Sequence, residues 1–104
     1  EILRAVAAYF ALDPESITGK RRSKEIARAR QIVMYLAREE TKAPLAQIGH
    51  ELGGRDHSTI LHGYKKIAAE IETDDRLRRE VFAIRETLYK EHASTPPPSW
   101  ARYR

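Results

Sequence analysis

Cysteine is absent from the 104 residues, which excludes disulfides and thiolate metal centres and agrees with a reducing, cytoplasmic setting. No apolar run approaches the length of a membrane span, and there is no signal-peptide pattern. Stretches that alternate apolar and polar with β-branched enrichment are nearly missing, so a sheet is not expected. Internal repeats are missing too. What remains is the length of one domain with a hydrophobic fraction of 41%, enough for one modest core. The chain begins with Glu1 and not Met, which is consistent with a segment of a longer protein.

The net charge is +4 and the pI near 9.6. This excess is mild, and its distribution is more informative than its size. Residues 20–30, KRRSKEIARAR, hold six cations against the single acid Glu25. Residues 70–91 hold seven acids and five bases. The positive charge therefore lies in the first two thirds of the chain, where it would attract a polyanion such as nucleic acid or an anionic surface.

Helical periodicity recurs along the chain. Leu3, Val6 and Phe10 form a first apolar stripe. In DPES, Asp13 is an N-cap and Pro14 a first helical residue, and Gly19 ends that short piece. A long helix is expected from Ser23 to about Thr41, with Ile26, Ala29, Ile32 or Val33, and Leu36 inward. Pro44 opens a short helix facing inward through Leu45, Ile48 and Leu52, and Gly53-Gly54 stops it. Asp56 can cap a further helix with the stripe Ile60, Tyr64, Ile67 and Ile71. After TDD at 73–75, a last helix uses Leu77, Val81, Ile84 and Leu88. The expected fold is all-α, a compact bundle of about six helices. It would occupy residues 1–92, with a helix-turn-helix at about 44–71, followed by a Pro-rich flexible tail over 93–104.

The stretch GGRDHSTILHGYKK, residues 53–66, admits several chemistries. A phosphate loop fails on spacing, since no Lys-Ser or Lys-Thr follows the glycines and no strand precedes them. A hydrolase fails on geometry: Asp56, His57 and Ser58 are consecutive and point apart on a helix, so they cannot form a triad. A helical zinc pair fails because His57 and His62 are five residues apart, not four. At about 100° per residue, with Ile60 facing the core, Ser58, His62 and Lys65 fall within about 40° of the opposite side. Such a face can read base edges, and it is equally the solvated face of a bundle helix; spacing leaves both open. Gly63 inside this helix would admit close approach of DNA or of a neighbouring helix.

KRRSKEIARARQIVMYLARE followed by LAQIGHELGGRDHSTILHGYKKI closely resembles the C-terminal DNA-binding domain of the bacterial replication initiators of the DnaA family. The match covers roughly residues 2–90. The resemblance implies that Arg22 enters a minor groove and that Asp56, His57, Ser58 and His62 face bases in the major groove. It implies phosphate contacts by Arg30, Gln31, Arg38, Leu45 (through its backbone), Arg55, Thr59 and Lys66. Lys20, Arg21 and Lys65 are supporting charges on the pattern of charge. There are departures. Ser58 stands where the family usually has Thr, Ala46 where Pro is frequent, and Arg38 where Lys is also seen, while the Pro-rich tail lies outside the family pattern.

The expectation is a sequence-specific binder of double-stranded DNA carrying DnaA-type boxes, anchoring a replication initiator in the bacterial cytoplasm and nucleoid. No catalysis, metal or cofactor is expected in this chain. ATP and Mg would belong to a separate domain of a full-length initiator. One alternative is a stand-alone regulator or mobile-element protein that uses the same domain. Another is a helical protein-interaction module whose basic face meets an acidic partner.

Overall fold

A computed structural model describes residues 1–91 and places six α-helices and no strand among them. The expected tail, 93–104, lies outside the described residues. The helices are α1 (Ile2–Tyr9), α2 (Pro14–Thr18), α3 (Lys24–Glu40), α4 (Leu45–Glu51), α5 (His57–Ile71) and α6 (Asp75–Glu91).

Local chemistry starts most of them. The Asp13 carboxylate accepts from the Glu15 amide at 3.1 Å, with Pro14 in the first turn of α2. Ser23 Oγ accepts from the Ile26 amide at 3.2 Å at the head of α3. Asp56 and Asp74 do the same for α5 and α6, accepting from Thr59 at 2.8 Å and Leu77 at 3.0 Å. The end of α1 is less usual. Leu12 N donates to Ala7 O at 2.8 Å and Ala11 N to Ala8 O at 3.2 Å, the paired bonds of a Schellman cap. The left-handed position of that cap is filled by Ala11, φ 56°, and not by glycine.

α3 is the central element and touches each of the other five helices. Its inward residues Ile26, Ala29, Ile32, Val33 and Leu36 are buried as the periodicity predicts, and Met34 joins them. Ile48 and Leu52 of the α4 segment, Ile60 and Ile67 of α5, and Leu77, Val81, Ile84 and Leu88 of α6 complete the core with Val6 and Ile17. Leu3, Phe10, Leu45 and Ile71 pack against its margin, partly buried. α6 is also tied to α3 by Glu40, which accepts from Tyr89 Oη at 2.6 Å and pairs with Arg85 at 2.7 Å.

One expectation about α5 is revised, and at Gly63 one of two open alternatives is found. Tyr64, placed by its spacing on the core stripe, lies at the flank of the helix. Its ring stacks on Tyr35 of α3 at 5.6 Å between centroids and its hydroxyl donates to Glu39 at 2.7 Å, because a phenol cannot bury its oxygen without an acceptor. The close approach at Gly63 is to a neighbouring helix: an added Cβ would run into Met34 Sδ of α3. Ile60 and Ile67, each 0% exposed, clamp α5 on the core to either side of that contact. Truncating either to Ala would cost about 2–5 kcal/mol.

Candidate nucleic-acid interface

α4, the turn at 52–56 and α5 form a helix-turn-helix. Gly53 and Gly54 make the turn with φ of 80° and 82°, a backbone region open to glycine at little cost. Because α5 rests on Ile60, Gly63 and Ile67, its opposite side is directed to solvent. Asp56, His57, Ser58 and Thr59 are all exposed at its tip, and His62, Lys65 and Lys66 are exposed further along. The Asp56 carboxyl is held below its ordinary value, first by the hydrogen bond from the Thr59 backbone amide. It is thus an anion that caps the helix through Oδ1.

Lys20, Arg21 and Arg22 are exposed in the loop between α2 and α3. Arg38 is exposed near the end of α3, its guanidinium 5.0 Å from the centroid of the Tyr64 ring. That ring is itself braced by Tyr35 and Glu39, and the bond to Glu39 is the first cause that pushes the Tyr64 hydroxyl pKa up. The sequence gives no hint of this bracing, since Tyr64 falls on the apolar stripe and its partner is 25 residues away. Gln31 is half-buried beside the Met34–Gly63 contact. No side chain caps α4, whose first residue is Leu45.

Arg28 pairs with Glu70 at 3.1 Å and Asp74 at 3.4 Å, Arg78 with Asp75 at 2.6 Å, and Arg76 with Glu80 at 3.6 Å. Lys20, Arg21, Arg22, Arg38, Lys65 and Lys66 form no ion pair among the described residues. Their charge faces solvent, as does that of Lys24 and Arg79.

Arg30 and Arg55, also expected at phosphates, direct donors to backbone carbonyls of the protein itself. Arg30 is 8% exposed. Its Nε donates to Ile17 O at 2.7 Å, and its Nη2 to Arg21 O at 3.1 Å, Gly19 O at 3.2 Å and Ser16 O at 3.4 Å. Burial, and then the charge of Arg55, lower its pKa. Arg55 Nη2 donates to Gly19 O at 2.7 Å, and Nη1 to Thr18 O at 3.2 Å and to Leu52 O. Among these acceptors, the carbonyls of Ser16, Ile17, Thr18 and Gly19 lie at the end of α2, where a helix leaves its carbonyls without intrahelical partners.

Comparison with known proteins agrees with the helix-turn-helix. The family described as bacterial dnaA protein helix-turn-helix matches residues 1–67. The chain is similar to three proteins named chromosomal replication initiator protein DnaA. It is 55% identical to that of Roseiflexus castenholzii over 87 residues, 84% of this chain and 18% of the relative. It is 46% identical to that of Herpetosiphon aurantiacus over 93 residues, 89% of this chain and 20% of the relative. With that of Lacticaseibacillus casei it shares 48% over 88 residues, 85% of this chain and 20% of the relative. The chain spans about a fifth of the length of these relatives. By the match over residues 1–67 and by these identities, the chain belongs to the bacterial DnaA helix-turn-helix family.

Proposed function

We propose that this chain binds double-stranded DNA sequence-specifically and anchors a replication initiator on short origin boxes. The observation that carries the proposal is the solvent-facing tip of α5, framed by cations that no acid of the described residues neutralises. α5 enters the major groove. His57, Ser58 and His62 meet base edges there, and Asp56, exposed at the helix tip, accepts from a cytosine amino group. Arg22 reaches from the basic loop into the adjacent minor groove, whose width at A·T steps favours a guanidinium. Arg38, Lys66, Thr59, Gln31 and the Leu45 amide meet phosphates, with Lys20, Arg21 and Lys65 adding long-range attraction. The chemistry of duplex opening, with its nucleotide and metal, is assigned to parts of an initiator beyond these residues.

The test is selection of bound sequences from random duplex DNA, followed by a salt titration of binding to the selected box and to a scrambled duplex. The expected result is a recurrent short box, a steep salt dependence, and a clear preference for the box throughout. Equal affinity for the two duplexes would refute sequence-specific binding.

A further inference from the structure

We propose that Arg30 and Arg55 form a latch that sets the spacing between the minor-groove loop and the major-groove helix, making the chain selective for the distance between the two parts of its box. The proposal rests on the DNA-binding function proposed above and assigns these two arginines a positioning role.

Gly19 is the residue from which the basic loop departs. Its carbonyl oxygen accepts from both guanidiniums, at 2.7 Å from Arg55 and 3.2 Å from Arg30. Arg30 also holds Arg21 O, inside the loop and one residue before Arg22. Arg55 lies one residue before Asp56, the cap of α5, and reaches back 36 positions in sequence to Gly19. The turn itself closes on the same place, since an added Cβ at Gly53 would collide with Thr18 O. The backbone on one side of Arg22 and the backbone on one side of His57 are thus joined through two rigid planar forks.

The choice of arginine has a physical reason. Its fork can hold several carbonyls in a fixed plane, which the single ammonium of lysine cannot. The negative end of α2 favours the positive charge. Successive phosphates along one DNA strand are about 3.4 Å apart along the axis. Hydrogen bonds with the geometry seen here tolerate far less movement than that. A latched loop should therefore reject a box in which the A·T stretch is displaced by one base pair, whereas an unlatched loop would follow it.

The test compares the selected box with a version carrying one extra base pair between the stretch read by α5 and the stretch read by the loop. Binding of the 104-residue chain is followed by fluorescence anisotropy, and folding by circular dichroism. The wild-type chain should lose about tenfold or more on the displaced box. Arg30→Lys and Arg55→Lys, which keep the charge, should bind the selected box more weakly, with the displacement costing them less than about threefold. A displacement penalty unchanged from wild type in the folded variants overturns the latch, since a plain phosphate contact lowers both affinities alike. Insertion of one glycine between Arg21 and Arg22 frees the loop beyond the latch without altering either guanidinium. It should likewise relax the penalty, and it decides the matter if neither arginine variant folds. A wild-type chain that does not distinguish the selected box from a scrambled duplex overturns the DNA-reading proposal itself; a wild-type preference with unrelaxed variants overturns only the latch.

Discussion

Arg30 of α3 and Arg55 of the helix-turn-helix turn donate to one shared acceptor, the carbonyl oxygen of Gly19. Two cations converge on one oxygen here because the C-terminal end of α2 presents carbonyls that its own helix cannot satisfy. The consequence is a division of labour among the arginines. Arg30 and Arg55 turn most of their donors inward, while Arg22 and Arg38 keep theirs for solvent or a ligand.

Arg22 and His57 should carry specificity without carrying stability, because both are exposed and make no side-chain hydrogen bond among the described residues. Arg22→Ala and His57→Ala should each reduce affinity for the selected box by about tenfold or more, and affinity for scrambled duplex far less. Their thermal melting should match wild type. Retention of full box preference by both variants would remove the assignment of these residues to base contacts.

Ser58 has a hydroxyl and lacks the methyl group that a Thr would carry there. Burying one such group against a thymine methyl is worth about 0.8 kcal/mol, roughly a fourfold change in affinity. Ser58→Thr should sharpen discrimination at one thymine-containing position by about that factor. The measurement is the binding of a panel of boxes substituted at each position, and an unchanged profile would count against a base contact at Ser58.

Tyr64 supports Arg38 through its ring face at 5.0 Å, and Glu39 holds the ring through the hydroxyl. An exposed cation–π contact of this kind is worth about 0.5–1 kcal/mol. Tyr64→Ala should therefore weaken binding to box and scrambled duplex alike, by roughly two- to fivefold. Arg38→Ala should lower the slope of log affinity against log salt by about 0.9, the signature of one lost phosphate contact. A sequence-dependent loss in either variant would place Arg38 at a base instead.

Ala11 occupies the left-handed position of the α1 cap, with φ 56°. That conformation costs an L-residue about 1–2 kcal/mol, and glycine adopts it freely at the expense of greater freedom in the unfolded chain. Ala11→Gly should stabilise the fold by about 0.5–1 kcal/mol, read as a higher urea midpoint at constant slope. A lower midpoint would show that the methyl makes a contact outweighing the strain.

Asp56 and Asp74 are lowered from the ordinary value of 3.8, in each case first by a backbone amide, that of Thr59 or Leu77. An acid whose pKa falls on folding contributes stability that is present above its unfolded value and lost as pH falls through the folded one. Stability should thus decline below about pH 4. Asn caps a helix as well as Asp and does not titrate there. The Asp56→Asn/Asp74→Asn chain should show a flatter denaturation midpoint across this range. Parallel curves for the two chains would mean that other carboxyls set the acid limb.

The helices, their starts and most of the core are legible in the sequence alone, because caps and apolar periodicity act within one or two turns of chain. Asp13, Ser23, Asp56, and the stripes through Leu36 and Ile84 needed only their neighbours in sequence. The helix-turn-helix and its family followed from the motif spanning ARARQ and GGRDHST. Which cations remain available to a ligand was not legible. Arg30 and Arg22 look alike in KRRSKEIARAR, and α2 must dock on α3 before one is buried against carbonyls and the other left in water. The same holds for Tyr64, taken from the core to brace Arg38 by a partner on another helix, and for Gly63, whose neighbour is Met34. Local propensity writes itself along the chain, whereas the solvent access and hydrogen-bond partners of a side chain depend on contacts between segments tens of residues apart, and those exist only once the helices are packed.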